Sequence, residues 1–124
     1  MTFPAREFAP VPESVAEVRE FVRETITELA VDHAAVLLMA DELASNAVRH
    51  ARTRFTVRIV PEANCLRVEV ADGAAQLPVL GDPAPLATGG RGMLIVDRCA
   101  TEWGVESFPE QGKSIWFECR QAAG

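Results

Sequence analysis

The chain is poor in the residues that staple a fold or bind zinc. Cys65, Cys99 and Cys119 are its three cysteines, and His33 and His50 its two histidines. The cysteines are widely spaced and form no C-x-x-C pair, which argues against a zinc site. An odd set of separate thiols builds no disulfide framework and fits a reducing compartment. No apolar run reaches the roughly 18 residues of a membrane span. The opening Met1-Thr2-Phe3-Pro4-Ala5-Arg6-Glu7 carries no hydrophobic signal region. The expectation is therefore a cytoplasmic protein without membrane attachment. Basic charge is also missing: the formal net charge is −6, so there is no overall footprint for direct nucleic-acid binding. An acidic surface suits a basic protein partner, and equally serves solubility.

What is present is an ordinary globular composition, 48% apolar and 24% charged over 124 residues. That predicts a single domain over 1–124, with no repeat and no linker. Arg6 to Val11, apolar between prolines, reads as an edge strand. Ser14 precedes Glu17 at the capping-box spacing and marks a helix start. Val15, Val18, Val22, Ile26 and Leu29 follow at helical intervals, with Arg19, Arg23, Glu24 and Glu28 outside. Asp32 caps a second helix running to about Ala51. Its middle, Ala34 to Ala40, is apolar almost all round, which implies burial on most sides.

Phe55, Val57 and Ile59 alternate with polar residues, as do Leu66, Val68 and Val70. These are two half-buried strands joined by a turn over Pro61 to Asn64. Residues 74–91 hold prolines and glycines without periodicity, the pattern of a lid loop. An apolar helix opens at Gly92 and runs to Cys99. Trp103 to Phe108 and Ser114 to Cys119 form a last hairpin. Helices and hairpins grouped this way predict a two-layer α/β sandwich with a mixed, mainly antiparallel sheet.

The polar residues most in need of a reason lie on the second helix. Glu42, Asn46 and His50 are spaced four apart, a step of roughly 6 Å and about 40° of drift. They share one face beside Leu43, Ala47 and Val48. A carboxylate, an amide and an imidazole make a poor core stripe, because unpaired buried polar groups are costly. They suit a cleft that holds magnesium and activates a hydroxyl. Magnesium keeps several waters and takes few protein ligands, so one amide oxygen from Asn46 fits that ion. Glu42, one turn earlier, is placed to accept a proton as a general base. His50 is open between supporting its neighbours and bonding a backbone group.

Three more features follow in order. Asp72-Gly73 ends a strand, Gly90-Arg91-Gly92-Met93 begins a helix, and Gly112-Lys113-Ser114 opens the last strand. A helix start with glycines can present free N–H groups to a phosphate. Gly112-Lys113-Ser114 is not a P-loop, since that motif needs glycine where Ser107 stands and then a helix.

Taken together, Glu42-x-x-x-Asn46, Asp72, Gly90-Arg91-Gly92 and Gly112-Lys113-Ser114 resemble the ATP-binding core of the GHKL superfamily. The phrase Glu-Leu-Ala-Ser-Asn-Ala-Val-Arg-His-Ala at 42–51 is similar to the first box of its stand-alone anti-sigma-factor serine/threonine kinases. The resemblance implies a Bergerat-type fold with helices on one face of the sheet, and ATP and Mg2+ as cofactors. It implies Asn46 as the magnesium ligand and Glu42 as base toward a serine of a partner or toward water. Asp72 would accept a hydrogen bond from the adenine amino group. Gly90, Arg91, Gly92 and Met93, with Gly112, Lys113 and Ser114, would line the phosphates. Arg91 is open between the terminal phosphate and a partner. The implied partners are a STAS-type anti-sigma antagonist and a sigma factor, and relatives commonly form homodimers. The chain departs from the family at Ala74 and Gln76, where Asp-x-Gly-x-Gly would place glycines. Its loop backbone is less free to approach a nucleotide there. The rival expectation is a non-catalytic module that sequesters its partner by binding alone.

Overall fold

A computed structural model describes residues 3–74, 90–108 and 110–122, with the backbone alone for 90–92. Strand β1 (Ala5–Phe8) leads to helices α1 (Glu13–Ile26) and α2 (His33–Asn46), and α2 continues into a π-helical turn, Ala47–Ala51. A hairpin follows, β2 (Phe55–Pro61) and β3 (Cys65–Asp72). Helix α3 (Gly90–Cys99) then precedes the hairpin β4 (Glu102–Phe108) and β5 (Gly112–Arg120).

The five strands form one sheet in the order β1-β2-β3-β5-β4, and each of these pairings is antiparallel. The sheet is mainly antiparallel, as expected from the sequence, and among the described strands it has no parallel pairing at all. Strand β4 does run in the same direction as β3, but β5 inserts between them and pairs antiparallel with both.

Strand alternation sorts the residues into two faces. Phe55, Val57, Ile59, Leu66, Val68, Val70, Ile115 and Phe117 are buried and pack with Val18, Val22 and Ile26 of α1, Val36, Met39 and Leu43 of α2, and Met93 and Val96 of α3. The helices therefore cover one face. Each fully buried side chain of this size contributes about 1.5–3 kcal/mol. Phe8 of the edge strand stacks on Phe55 with ring centroids 5.6 Å apart.

The helix starts differ from each other. Asp32 caps α2 as expected, its carboxylate accepting from the Ala35 N–H at 3.1 Å. The capping box at Ser14 does not form. Helix α1 begins at Glu13 after Pro12, and the Ser14 hydroxyl donates to the Ala9 carbonyl at 2.7 Å. Pro12 presets the helical φ and does without a side-chain cap. The strand expected to reach Val11 stops at Phe8. The apolar middle of α2 is buried on fewer sides than expected, for Ala34 is exposed and Leu38 remains 43% exposed. Among the described residues no helix is long and apolar enough to cross a membrane.

Candidate functional site

Glu42 and Asn46 sit on successive turns of α2, both partly buried, on the segment that ends the helix. The neighbouring Asp41 is held from α1: the Arg19 guanidinium donates to both of its carboxylate oxygens, with Nε 3.0 Å from each. Asp41 holds the Arg19 guanidinium above its ordinary value by hydrogen bonding and by charge. This clamp ties α1 to α2 one residue before Glu42.

Beyond Asn46 the backbone widens. The Arg52 N–H bonds the Ala47 carbonyl five residues back at 3.1 Å, and Arg52 closes the turn at φ 57°. Asn46 and His50 are thus separated by a π-turn in place of the regular α-helical step expected from the sequence. His50 lies in this turn and is exposed. Glu42 and Asn46 share a face of α2.

Asp72 is the last residue of β3 and points to the helix-covered side, in phase with Leu66, Val68 and Val70. Its Oδ1 accepts from the Ala74 N–H at 2.8 Å, fixing the chain as it leaves the strand. The Gly73 N–H donates to the Thr53 hydroxyl at 2.8 Å. Directly across the ladder lies Lys113, whose Nζ donates to Asp72 Oδ1 at 3.1 Å. The two side chains are 3% and 4% exposed. The lysine read as a phosphate-lining residue is thus committed to the carboxylate read as base-recognising.

Gly112 makes that contact possible. It sits at φ +108°, and a Cβ there would lie 1.9 Å from the Asp72 carbonyl oxygen and 2.7 Å from Gly73 Cα. Only a residue without a side chain lets β5 begin this close to the end of β3. Ser114 falls one residue out of phase and pairs between Ala71 and Glu106 on the open side of the sheet. Its hydroxyl is not brought together with Asp72. Met93 is 1% exposed within the core and serves packing. The backbone of Gly90, Arg91 and Gly92 forms the first turn of α3, two residues earlier than the expected start. Most of the lid segment, residues 75–89 with Gln76, lies outside the described residues.

A second group of metal-type ligands lies elsewhere. Glu62, Cys65 and Glu118 place ligand atoms within 4.8 Å of one another. They are already engaged, since the Cys65 thiol donates to Glu62 at 3.7 Å and Arg67 donates to Glu118 at 3.3 Å.

A family model for the histidine kinase-like ATPase domain matches residues 8–118. The chain belongs to that family. As a histidine kinase-like ATPase domain, it is an ATP-binding, kinase-like domain. No curated protein matches it. Among solved structures it is similar to the RsbU and RsbW domains of Rv1364c from Mycobacterium tuberculosis, with a TM-score of 0.69 at 16% identity. That match covers 97% of this chain and 34% of the other, so the chain spans about a third of its length. At this identity the likeness concerns the fold.

The sequence reading missed the Asp72–Lys113 pair, though a signal was available. Lys113 is in phase with Ile115, Phe117 and Cys119, so strand alternation alone puts it on the core side. A lysine there needs a carboxylate.

Proposed function

We propose that this histidine kinase-like ATPase domain binds ATP with magnesium and phosphorylates a serine or threonine of a STAS-type anti-sigma antagonist. It also sequesters a sigma factor, through α1 and the adjoining surface. The observation that carries the reading is the pair Glu42 and Asn46 on successive turns of α2, in a chain of this family. The donor set fits magnesium: the side-chain amide of the half-buried Asn46 is a suitable single protein ligand for an ion that keeps its waters. When bound, magnesium neutralises charge on the phosphate oxygens. Asn46 orients that assembly through its amide oxygen. Asp72 accepts from the base, and the first-turn N–H groups of α3 face the phosphates. Glu42 takes the proton of the attacking hydroxyl as its oxygen bonds to the γ-phosphorus and ADP leaves. Catalysis of this kind is mostly positioning and charge stabilisation. Residues 74–91 act as the lid.

A second reading has its own support. The Asp72 carboxylate is already paired with Lys113, and Ala74 stands where the pattern Asp-x-Gly-x-Gly would place glycine. A chain that holds nucleotide weakly would sequester its partner by binding alone.

One experiment separates them. Protein, γ-labelled ATP, magnesium and the antagonist are incubated, and label on the antagonist is counted. Label transfer supports the kinase; no transfer, with complex formation indifferent to nucleotide, leaves the binding module. Within the kinase reading, Glu42→Ala keeps ATP affinity and loses transfer by about 100-fold or more, the usual scale for a general base. Asn46→Ala loses magnesium-dependent ATP affinity while thermal unfolding stays unchanged. Calorimetry showing wild-type affinity in that variant removes Asn46 as the ligand.

A further inference from the structure

Residues 43–61 contain Arg49, Arg52, Arg54 and Arg58 and not one aspartate or glutamate, in a chain whose formal net charge is −6. Arg58 lies opposite Glu69 across the β2–β3 ladder. The other three gather where α2 ends. Arg49 lies in the π-turn, Arg52 closes it and Arg54 leads into β2, and all three are exposed. Between them the Thr53 hydroxyl accepts the Gly73 N–H at 2.8 Å, which seats the group beside the end of β3. Asp72, at that same strand end, is already answered by Lys113. Arg54 pairs with Glu7 at 2.6 Å, but both side chains are 58% exposed and water screens the pair. Among the described residues no carboxylate pairs with Arg49 or Arg52.

A helix C-terminus favours basic side chains, and that accounts for Arg49. It does not account for Arg54, nor for the form Arg52 takes. Arg52 stands at φ 57°, the left-handed position where glycine or asparagine ordinarily closes a helix. Arginine there carries a steric cost that glycine avoids. Its guanidinium makes one long backbone contact, Nε to the Arg49 carbonyl at 3.4 Å. The field of such a patch reaches about 8 Å at physiological ionic strength. A long polyanion such as RNA meets the repulsion of the whole acidic molecule, whereas a short acidic segment meets the patch alone. We infer that Arg49, Arg52 and Arg54 form a docking surface for an acidic segment of the protein that this domain phosphorylates or sequesters, an inference that rests on the reading of the domain as one with a protein partner. The surface lies just beyond the stretch of α2 that carries Glu42 and Asn46.

The test is fluorescence anisotropy without nucleotide, at low salt. The labelled probes are a short peptide with a serine among aspartates and glutamates, the same peptide with asparagines and glutamines in their place, and a short single-stranded RNA. Wild type should bind the acidic peptide about tenfold tighter than the neutral one, and about 1 M salt, with a screening length of about 3 Å, should erase the difference. Arg49→Glu/Arg52→Glu should abolish the preference. Arg98→Glu/Arg120→Glu makes the same change in net charge at exposed positions elsewhere and should keep the preference within about twofold. Arg52→Gly decides the matter if the first double variant fails to fold. It relieves the positive φ, so thermal unfolding should hold or rise while the preference falls by about twofold to fivefold. Equal binding of the two peptides by wild type overturns the proposal, as do equal losses in the two double variants or full preference in Arg52→Gly. RNA bound tighter than the acidic peptide overturns it too, and makes the patch a nucleic-acid surface. Peptide preference without label transfer from ATP leaves the docking surface on a sequestering module. Label transfer without peptide preference removes the surface and spares the kinase, and if neither is seen both fall.

Discussion

The two faces of the sheet handle charge in opposite ways. On the helix-covered face, among the described sheet residues that are buried, Asp72 and Lys113 are the charged ones, and each answers the other. On the open face Arg67 serves three carboxylates at once, Glu69 at 2.8 Å, Glu106 at 3.2 Å and Glu118 at 3.3 Å. Its guanidinium also lies 4.0 Å from the centroid of the Trp116 ring. That ring in turn covers Gly104, where a Cβ would fall 2.7 Å from Trp116 Cζ2. One face concentrates its electrostatics in a single desolvated pair. The other spreads it over partners that can substitute for one another in water. Loss of one group should therefore be severe on the first face and mild on the second.

The largest break in that contrast is Lys113→Met. It leaves a buried carboxylate without its cation and should cost about 3–5 kcal/mol in urea denaturation. The double variant Asp72→Leu/Lys113→Met removes both charges and should recover most of the loss, since apolar replacement of a buried pair is often neutral or better. A single variant within about 1 kcal/mol of wild type would mean that the pair is no more critical than a surface bridge.

Arg67→Ala comes next. It removes largely half-buried ion pairs and a cation–π contact together, for an expected loss of about 1–2 kcal/mol. Salt distinguishes the faces. At about 1 M salt the screening length falls to about 3 Å. The penalty of Arg67→Ala should shrink there, while that of Lys113→Met should hold. Equal salt sensitivity in the two variants would erase the distinction between the faces.

Much of this arrangement was legible in the residue order, and the parts that were not have physical causes. The alternation at Phe55 to Ile59 and Leu66 to Val70 specifies both strands and their buried side, because a half-covered sheet demands period two. The Asp32 cap and the Glu42–Asn46 turn are local, and the structure keeps them. The capping box failed because Ser14 had a competing acceptor in the Ala9 carbonyl, delivered by the Pro10 to Pro12 bend. The widening after Asn46 leaves no periodic trace, since one extra residue in a turn looks like ordinary helix. The Asp72–Lys113 contact joins residues 41 apart. It depends on β5 inserting next to β3, which no local pattern announces. Each half of the pair looked like a ligand for something absent, and the fold gave it to the other.

Two cysteines offer the mildest comparison of the faces. Cys119 points to the core from β5, while Cys65 is half-buried on the open face of β3. Burial, first, and then the nearby Asp32 and cysteine charges push the Cys119 thiol up to about 11 from an ordinary 9.0. Cys65 is also pushed up by burial and by Glu62 and Glu118, but Arg67 pulls against that rise. The sign of the effect on stability follows from which state loses its proton first. The folded chain holds the Cys119 proton to higher pH than the unfolded chain does. Stability from this group is therefore complete below about pH 9 and is lost as pH rises toward 11. Wild type should lose urea midpoint faster than Cys119→Ala across that window, and Cys65→Ala should lessen the loss in the same direction but to a smaller extent. If Cys119→Ala and wild type fall in parallel, the thiol is not held by the covered face, and at this position the two faces do not differ.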